Sequence, residues 1–269
     1  MPRGSRCGST RRGTTPSCSS PRCSVRSGLR SSFPCCSVSY RQKGSHPMPE
    51  SVLIVGAAPL PEGERFYRGL LAKAAFVIAC DAAAEWCAAL GRLPDVAVGD
   101  FDSAEPGAPE RLIDAGVDVR RFPAEKDESD LDLAVAVARS LDCRTVTFTA
   151  AFTGRLDHTL ASLGTVASAA DLRSGIEEPG YSAAVVSERG VTTIALDTSP
   201  GRVVSVVALE PAAGVTLTGF RYPLESAALN ALSSLGVSNV AVAHRVTVSL
   251  ASGTLLVMAS RGAGGILHD

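Results

Sequence analysis

The chain has 269 residues, 45% of them apolar, with 26 basic and 27 acidic side chains. That length accommodates a sizeable buried core in one large domain or two modest ones. A net charge of −1 gives no global basic field, which argues against nucleic acid as a partner. No apolar run approaches the roughly 18–20 residues of a membrane span.

These averages hide two unlike sequences. Residues 1–47 carry nine Lys or Arg, twelve Ser and no Asp or Glu, together with five of the eight cysteines. So little apolar surface predicts a disordered basic tail. Its composition fits a transit peptide, but Met48-Pro49-Glu50 directly before an apolar strand favours a start placed too early. Its cysteines contain no C-x2-C pair and predict no zinc site. From residue 48 onward there are 17 basic and 27 acidic residues, so the folded part is acidic. Cys80, Cys87 and Cys143 lie on apolar segments and are expected to pack as small hydrophobes in a reducing compartment, the cytoplasm.

From Ser51 to about residue 171, short apolar runs alternate with helical patterns. Strands are predicted at Val52–Gly56, Phe76–Cys80, Asp95–Val98, Val117–Phe122 and Thr145–Thr149, and helices near 63–74, 83–90, 107–115, 128–141 and 156–170. This alternation predicts a doubly wound α/β domain with a parallel sheet over 48–172. A Gly/Pro-bearing linker is expected over 173–181. Beyond it lie Ala183–Ser187, Val191–Leu196, Arg202–Leu209, Val215–Leu217, Val246–Leu250 and Thr254–Met258, which predict a small all-β sandwich over 182–262 and a C-terminal tail at 263–269.

In an open parallel sheet, ligands bind at the carboxyl ends of the strands. Acidic residues stand at four successive predicted strand ends: Asp81; Gly99-Asp100-Phe101-Asp102-Ser103; Lys126-Asp127-Glu128-Ser129-Asp130; and Gly154-Arg155-Leu156-Asp157-His158. Carboxylates beside a Lys and an Arg suit a Mg-nucleotide, because hard oxygen ligands hold the ion and the cations offset phosphate charge. Each motif also has a structural reading. Asp100 and Asp102 suit a helix cap, Ser129 with Asp132 suits a capping box, and Asp157 and His158 suit a solvated first turn. Neither a P-loop nor a dinucleotide fingerprint is present, and Gly56-Ala57-Ala58-Pro59 is at most a tight turn near a ligand.

The ordered motifs resemble the thiamine pyrophosphokinase family from about Ser51 to Ser260. Leu93-Pro94-Asp95, the three charged motifs, Gly219-Phe220-Arg221-Tyr222-Pro223-Leu224 and Gly236-Val237-Ser238-Asn239 carry the resemblance. It implies a catalytic α/β domain followed by a β-sandwich, a homodimer, and thiamine and ATP as substrates with Mg2+ as cofactor. Residue by residue, it implies that Asp81, Asp100, Asp102 and Asp130 form the catalytic acidic group. Among these, Asp100, Asp102 and Asp130 would hold the metal. Lys126, Ser129, Arg155, Asp157 and His158 would line the ATP side, and Ser238 and Asn239 would reach thiamine. The expected reaction is attack of the thiamine hydroxyl on the β-phosphorus of ATP, with AMP leaving and Asp102 or Asp130 taking the proton.

The chain departs from the family pattern at several places. Asp81-Ala82-Ala83-Ala84 stands where the family usually has Asp-Gly-Gly-Ala, Ser129 replaces a Thr, Thr153 replaces a Gly, Ser162 an Asn and Val240 a Glu. Two alternatives accompany this reading: a nucleotide-sugar glycosyltransferase built on Asp100-Phe101-Asp102, and a thiamine or nucleotide sensor without turnover.

Overall fold

The computed structural model describes residues 49–152 and 154–261. The predicted tails at 1–47 and 263–269 lie outside the described residues. Five parallel strands open the chain: β1 (Ser51–Val55), β2 (Val77–Cys80), β3 (Val96–Gly99), β4 (Asp118–Arg121) and β5 (Thr145–Thr149). Between and after them run α1 (Glu64–Lys73), α2 (Ala83–Ala89), α3 (Ala108–Asp114), α4 (Asp130–Ser140) and α5 (Leu156–Ser168).

Strand order from one edge is β4-β3-β2-β1-β5, so the direction of winding reverses between β1 and β5. Side-chain alternation places the two helix layers. Val52 and Ile54 of β1 face the layer of α4 and α5, while Leu53 and Val55 face α1, α2 and α3. Near-continuous apolar strands are what a sheet covered on both faces requires. Cys80, Cys87 and Cys143 are buried free thiols, as the apolar runs predict.

The strand-rich half begins with β6 (Arg173–Glu178) and β7 (Tyr181–Ser187), followed by β8 (Thr193–Asp197), β9 (Val203–Thr218), β10 (Leu224–Leu229), β11 (Asn239–Val240), β12 (Arg245–Ser249) and β13 (Ser252–Ser260). Two expectations are corrected here. Residues 173–178 are not linker: they form β6, parallel to β5, with Ser174, Ile176 and Glu178 turned inward and only Pro179-Gly180 left as the turn into antiparallel β7. The two halves therefore share a sheet, which continues β5-β6-β7-β13-β9. Second, the runs at Arg202–Leu209 and Val215–Leu217 belong to one 16-residue strand. Pro211 and Gly214 do not end it, because the register against β13 shifts there and the bulge absorbs them.

Beyond that bulge β9 pairs with β10 and β12, so it passes from the shared sheet into a second layer. Between the layers lies a separate core of Val186, Val204, Val206, Leu217, Leu229, Val246, Val248, Leu255 and Val257. The sandwich reading holds, with one face of the long sheet as its first layer.

Candidate functional site

The carboxyl edge of the parallel strands carries the charged motifs. Asp81 follows β2 and is 6% exposed, with a left-handed backbone at φ 50°. Its Oδ2 accepts a hydrogen bond from Ser103, while its buried Oδ1 has no partner. Gly99 ends β3 at φ +152°, and a Cβ there would stand 3.2 Å from the Asp81 backbone. Glycine is thus required for the two strand ends to approach closely enough to bring Asp100 and Asp102 beside Asp81. Ligand oxygens of Asp81, Asp100 and Asp102 lie within 4.8 Å of one another.

Three like charges at that spacing repel unless a cation joins them, and a buried oxygen without a partner is costly. Hard oxygens in this number fit a divalent cation of the Mg2+ or Ca2+ kind. Lys126 supplies part of the compensation, with its Nζ 3.1 Å from Asp130 Oδ1 and 3.9 Å from Asp100 Oδ2. Burial raises the Asp130 carboxyl pKa, and the ammonium of Lys126 opposes that rise. Asp130 therefore borders the acidic trio through Lys126.

Asp100 and Asp102 cap no helix, since α3 starts later with Gly107 at its N-cap. Ser129 does cap one. Its Oγ accepts from Asp132 N at 3.2 Å and donates to Asp132 Oδ2 at 2.7 Å, and Ser129 N also donates to Asp132 Oδ2, completing a capping box. Asp132 Oδ1 accepts from Thr165 on α5 at 2.7 Å, fixing that helix start against its neighbour. Ala82 adopts φ −57°, so the left-handed residue at this turn is Asp81 and the methyl of Ala82 brings no backbone strain.

Arg155, Asp157 and His158 form the solvated start of α5. Arg155 holds Asp157 through contacts of 2.6 and 3.2 Å, and that ion pair pulls the Asp157 pKa down to about 2. Asp157 also accepts from the backbone N–H of His158. These three stand at the end of β5, bordering the crevice where the winding reverses.

Ser238 and Asn239 lie elsewhere, against β9 in the strand-rich half. Ser238 is left-handed at φ 55°, and its N–H donates to Ser205 Oγ. Asn239 is 2% exposed, and its amide is committed to the Tyr222 backbone, accepting from Tyr222 N at 3.1 Å and donating to Tyr222 O at 2.7 Å. It thereby presents Tyr222, which is 63% exposed.

Ser103 is the residue at the acidic cluster to which sequence reasoning gave no role. Its signal was present, a hydroxyl directly after the Asp100-Phe101-Asp102 run.

The fold and site define a transferase class: an α/β sheet presenting acidic and basic groups at its carboxyl edge, with an appended β-sandwich. Two sequence models match in order, that of the thiamin pyrophosphokinase catalytic domain over residues 67–176 and that of its vitamin B1 binding domain over residues 191–255. The chain belongs to the thiamin pyrophosphokinase family and is an enzyme of that type.

A curated relative, thiamine pyrophosphokinase of Bacillus subtilis, is 29% identical over 171 residues, covering 63% of this chain and 80% of its own. The crystal structure of the thiamin pyrophosphokinase from Geobacillus thermodenitrificans is 28% identical with a TM-score of 0.63, covering 79% of this chain and 98% of that one. The Candida albicans thiamin pyrophosphokinase, at 13% identity and a TM-score of 0.65 over 79% of this chain and 90% of that one, shares the fold. Among the described residues no helix is long and apolar enough to cross a membrane.

Proposed function

We propose that this enzyme transfers the terminal pyrophosphate of ATP to the hydroxyethyl group of thiamine, releasing AMP. The observation that carries this reading is the convergence of Asp81, Asp100 and Asp102 beside Lys126 on the carboxyl edge, in a chain where both domains of the family follow in order. An acidic trio alone would repel a polyphosphate, so the geometry calls for a cation between protein and substrate. Mg2+ held by Asp81, Asp100 and Asp102 would supply Lewis-acid charge compensation for the phosphate oxygens.

The chain's own groups do the rest. Lys126 stands against both Asp100 and Asp130, placing its ammonium where it offsets charge on the transferring phosphoryl groups. Arg155, 70% exposed on its side chain, is free to exchange Asp157 for phosphate as ATP arrives, with Ser129 and His158 on the same side. The thiamine hydroxyl oxygen forms a bond to the β-phosphorus, the bond from that phosphorus to the α–β bridging oxygen breaks, and AMP leaves with the oxygen. Asp102 or Asp130 takes the hydroxyl proton. The acidic edge also suits the cationic ring of thiamine.

Ser238 and the Asn239-held Tyr222 form the thiamine side. In one chain this segment lies against β9, seven strand steps from β3. At ~4.8 Å per step that is roughly 34 Å along the sheet, too far for one small substrate to span. A second copy supplying the thiamine side resolves the distance. Exposed Leu232, Leu235, Val237 and Val242 around the Ser238 segment support a homodimer. We place it in the cytoplasm.

Incubating the full chain with thiamine, ATP and Mg2+ tests the reaction: thiamine pyrophosphate and AMP should appear together and only with the metal. ADP with thiamine monophosphate would overturn the choice of phosphorus. Mixing Asp100→Asn with Ser238→Trp chains tests the shared site, since subunit exchange should restore activity that neither variant has alone; a mixture as inactive as its parts refutes it.

A further inference from the structure

Beneath the crevice between β1 and β5 lies a buried carboxylate that the reaction does not use. Glu178 ends β6 and is 1% exposed. Its Oε2 accepts from the Tyr67 hydroxyl at 2.8 Å, and its Oε1 accepts from the Ala151 N–H at 3.4 Å. The Tyr67 oxygen in turn accepts from Leu60 N at 3.1 Å. One carboxylate thus reaches both segments that border the crevice: residues 56–60 after β1, through Tyr67, and residues 150–152 after β5.

Those two segments also touch each other. Gly56 N donates to Thr149 O, and Ala58 N donates to Ala150 O at 2.8 Å. A Cβ on Gly56 would sit 2.7 Å from Ala150 O and 2.8 Å from Ala151 Cβ, so the chains pass with no room for a methyl. Ala150 is left-handed at φ 53°, a conformation that a non-glycine residue holds only when its surroundings impose it. Tyr67 is itself fixed, packed edge-on against Trp86 and Phe66. Burial raises the pKa of Glu178, and its hydrogen bonds from Tyr67, Ala151 and Ala150 oppose that rise. A group so costly to bury needs a structural return.

We propose that Glu178, with Tyr67, is a positioning pair that sets the spacing of the 56–60 and 150–152 segments and thereby the placement of Arg155, the N-cap of α5, toward ATP. This rests on the reading that ATP occupies the carboxyl edge. Parallel strands end here at the point where winding reverses, the place where such sheets take their ligands. Glu178 touches no substrate and acts through the Ala151 and Leu60 backbones.

Gln at this position keeps the shape but gives one oxygen and one NH2. Whichever way the amide turns, one of the Tyr67 O–H and Ala151 N–H donors loses its acceptor. Steady-state transfer by the full-length Glu178→Gln enzyme should show a KM for ATP raised about tenfold, with kcat and the KM for thiamine changed less than about twofold. Tyr67→Phe, which keeps the ring packing, should raise the ATP KM about threefold. The double variant should be no worse than Glu178→Gln alone, because both changes cut the same link.

Unchanged ATP KM in both variants overturns the proposal. So does a lower kcat with both KM values unchanged, the mark of a smaller folded fraction. Should Glu178→Gln fail to fold, Tyr67→Phe decides by the same split. Wild-type protein without transfer activity sinks the underlying reading instead, and is recognised before any variant is compared.

Discussion

The carboxyl edge of the parallel strands and the sandwich core differ in how they treat polar and strained groups. At the edge, Asp81 keeps an unpartnered buried oxygen, Asp81, Phe101 and Ala150 hold left-handed backbones, and three carboxylates crowd together. In the sandwich, Val204, Val206, Val246, Val248, Leu255 and Val257 fill the space between two layers whose strands are paired along their length. On the proposed reading the edge gives up stability to hold charge beside a substrate, whereas the core of the sandwich is apolar. At this edge the strain and the unpartnered oxygen stand where the proposed ligand would complete them.

That contrast breaks most visibly at Asp100. Asp100→Asn should lower transfer by about a hundredfold or more. Its thermal midpoint without Mg2+ should stay level or rise, since one of three mutually repelling charges is gone. Parallel assays and melting curves with and without the metal check both halves, and a large fall in midpoint would contradict the reading of the edge.

Leu255→Ala makes the opposite cut. Leu255 is fully buried in β13, so truncation should cost about 2–5 kcal/mol in denaturant unfolding. Activity per folded molecule and the KM for ATP should be unchanged.

A smaller effect lies at Asp171, where Arg139 of α4 grips the carboxylate at 2.6 and 3.2 Å and lowers its pKa. A depressed folded-state pKa contributes stability above the ordinary carboxylate value, lost as pH falls through the lowered one. Both groups are more than a third exposed, so solvent screening limits the contribution to about 1 kcal/mol or less. Asp171→Asn should therefore lose stability relative to wild type at pH 7 and converge with it in acid; melting curves between pH 7 and pH 2 test the sign.

Much of this was legible in the residues. Four of the five parallel strands read as apolar runs because both of their faces are covered, while edge strand β4, Asp118-Val119-Arg120-Arg121, is partly exposed; the acidic motifs announced themselves by standing directly after the strands. β6 escaped because its inward positions are Ser174, Ile176 and Glu178, and a carboxylate at an inward position reads as a loop. The hydroxyl of Tyr67, 111 residues away in sequence, and the Ala151 N–H make that position tolerable. β9 was cut in two by Pro211 and Gly214, since a bulge depends on the partner strand and local composition cannot supply it. Asn239 stood out in the sequence only through the family resemblance, and its commitment to the Tyr222 backbone is set by a tertiary pairing. Ser129 shows the reverse: its capping box was written in the sequence and the structure keeps it.

The strand order carries a consequence for how the protein is made. β13 comes last among the described strands, yet it lies inside the sheet, between β7 and β9. A ribosome therefore releases β7 and β9 well before the strand that joins them. Until residues 252–260 emerge, each of the two waits with an open edge, and the helical half cannot be sealed to the sandwich. Folding of the parallel strands can begin during synthesis, but closure of the shared sheet must await nearly the whole chain.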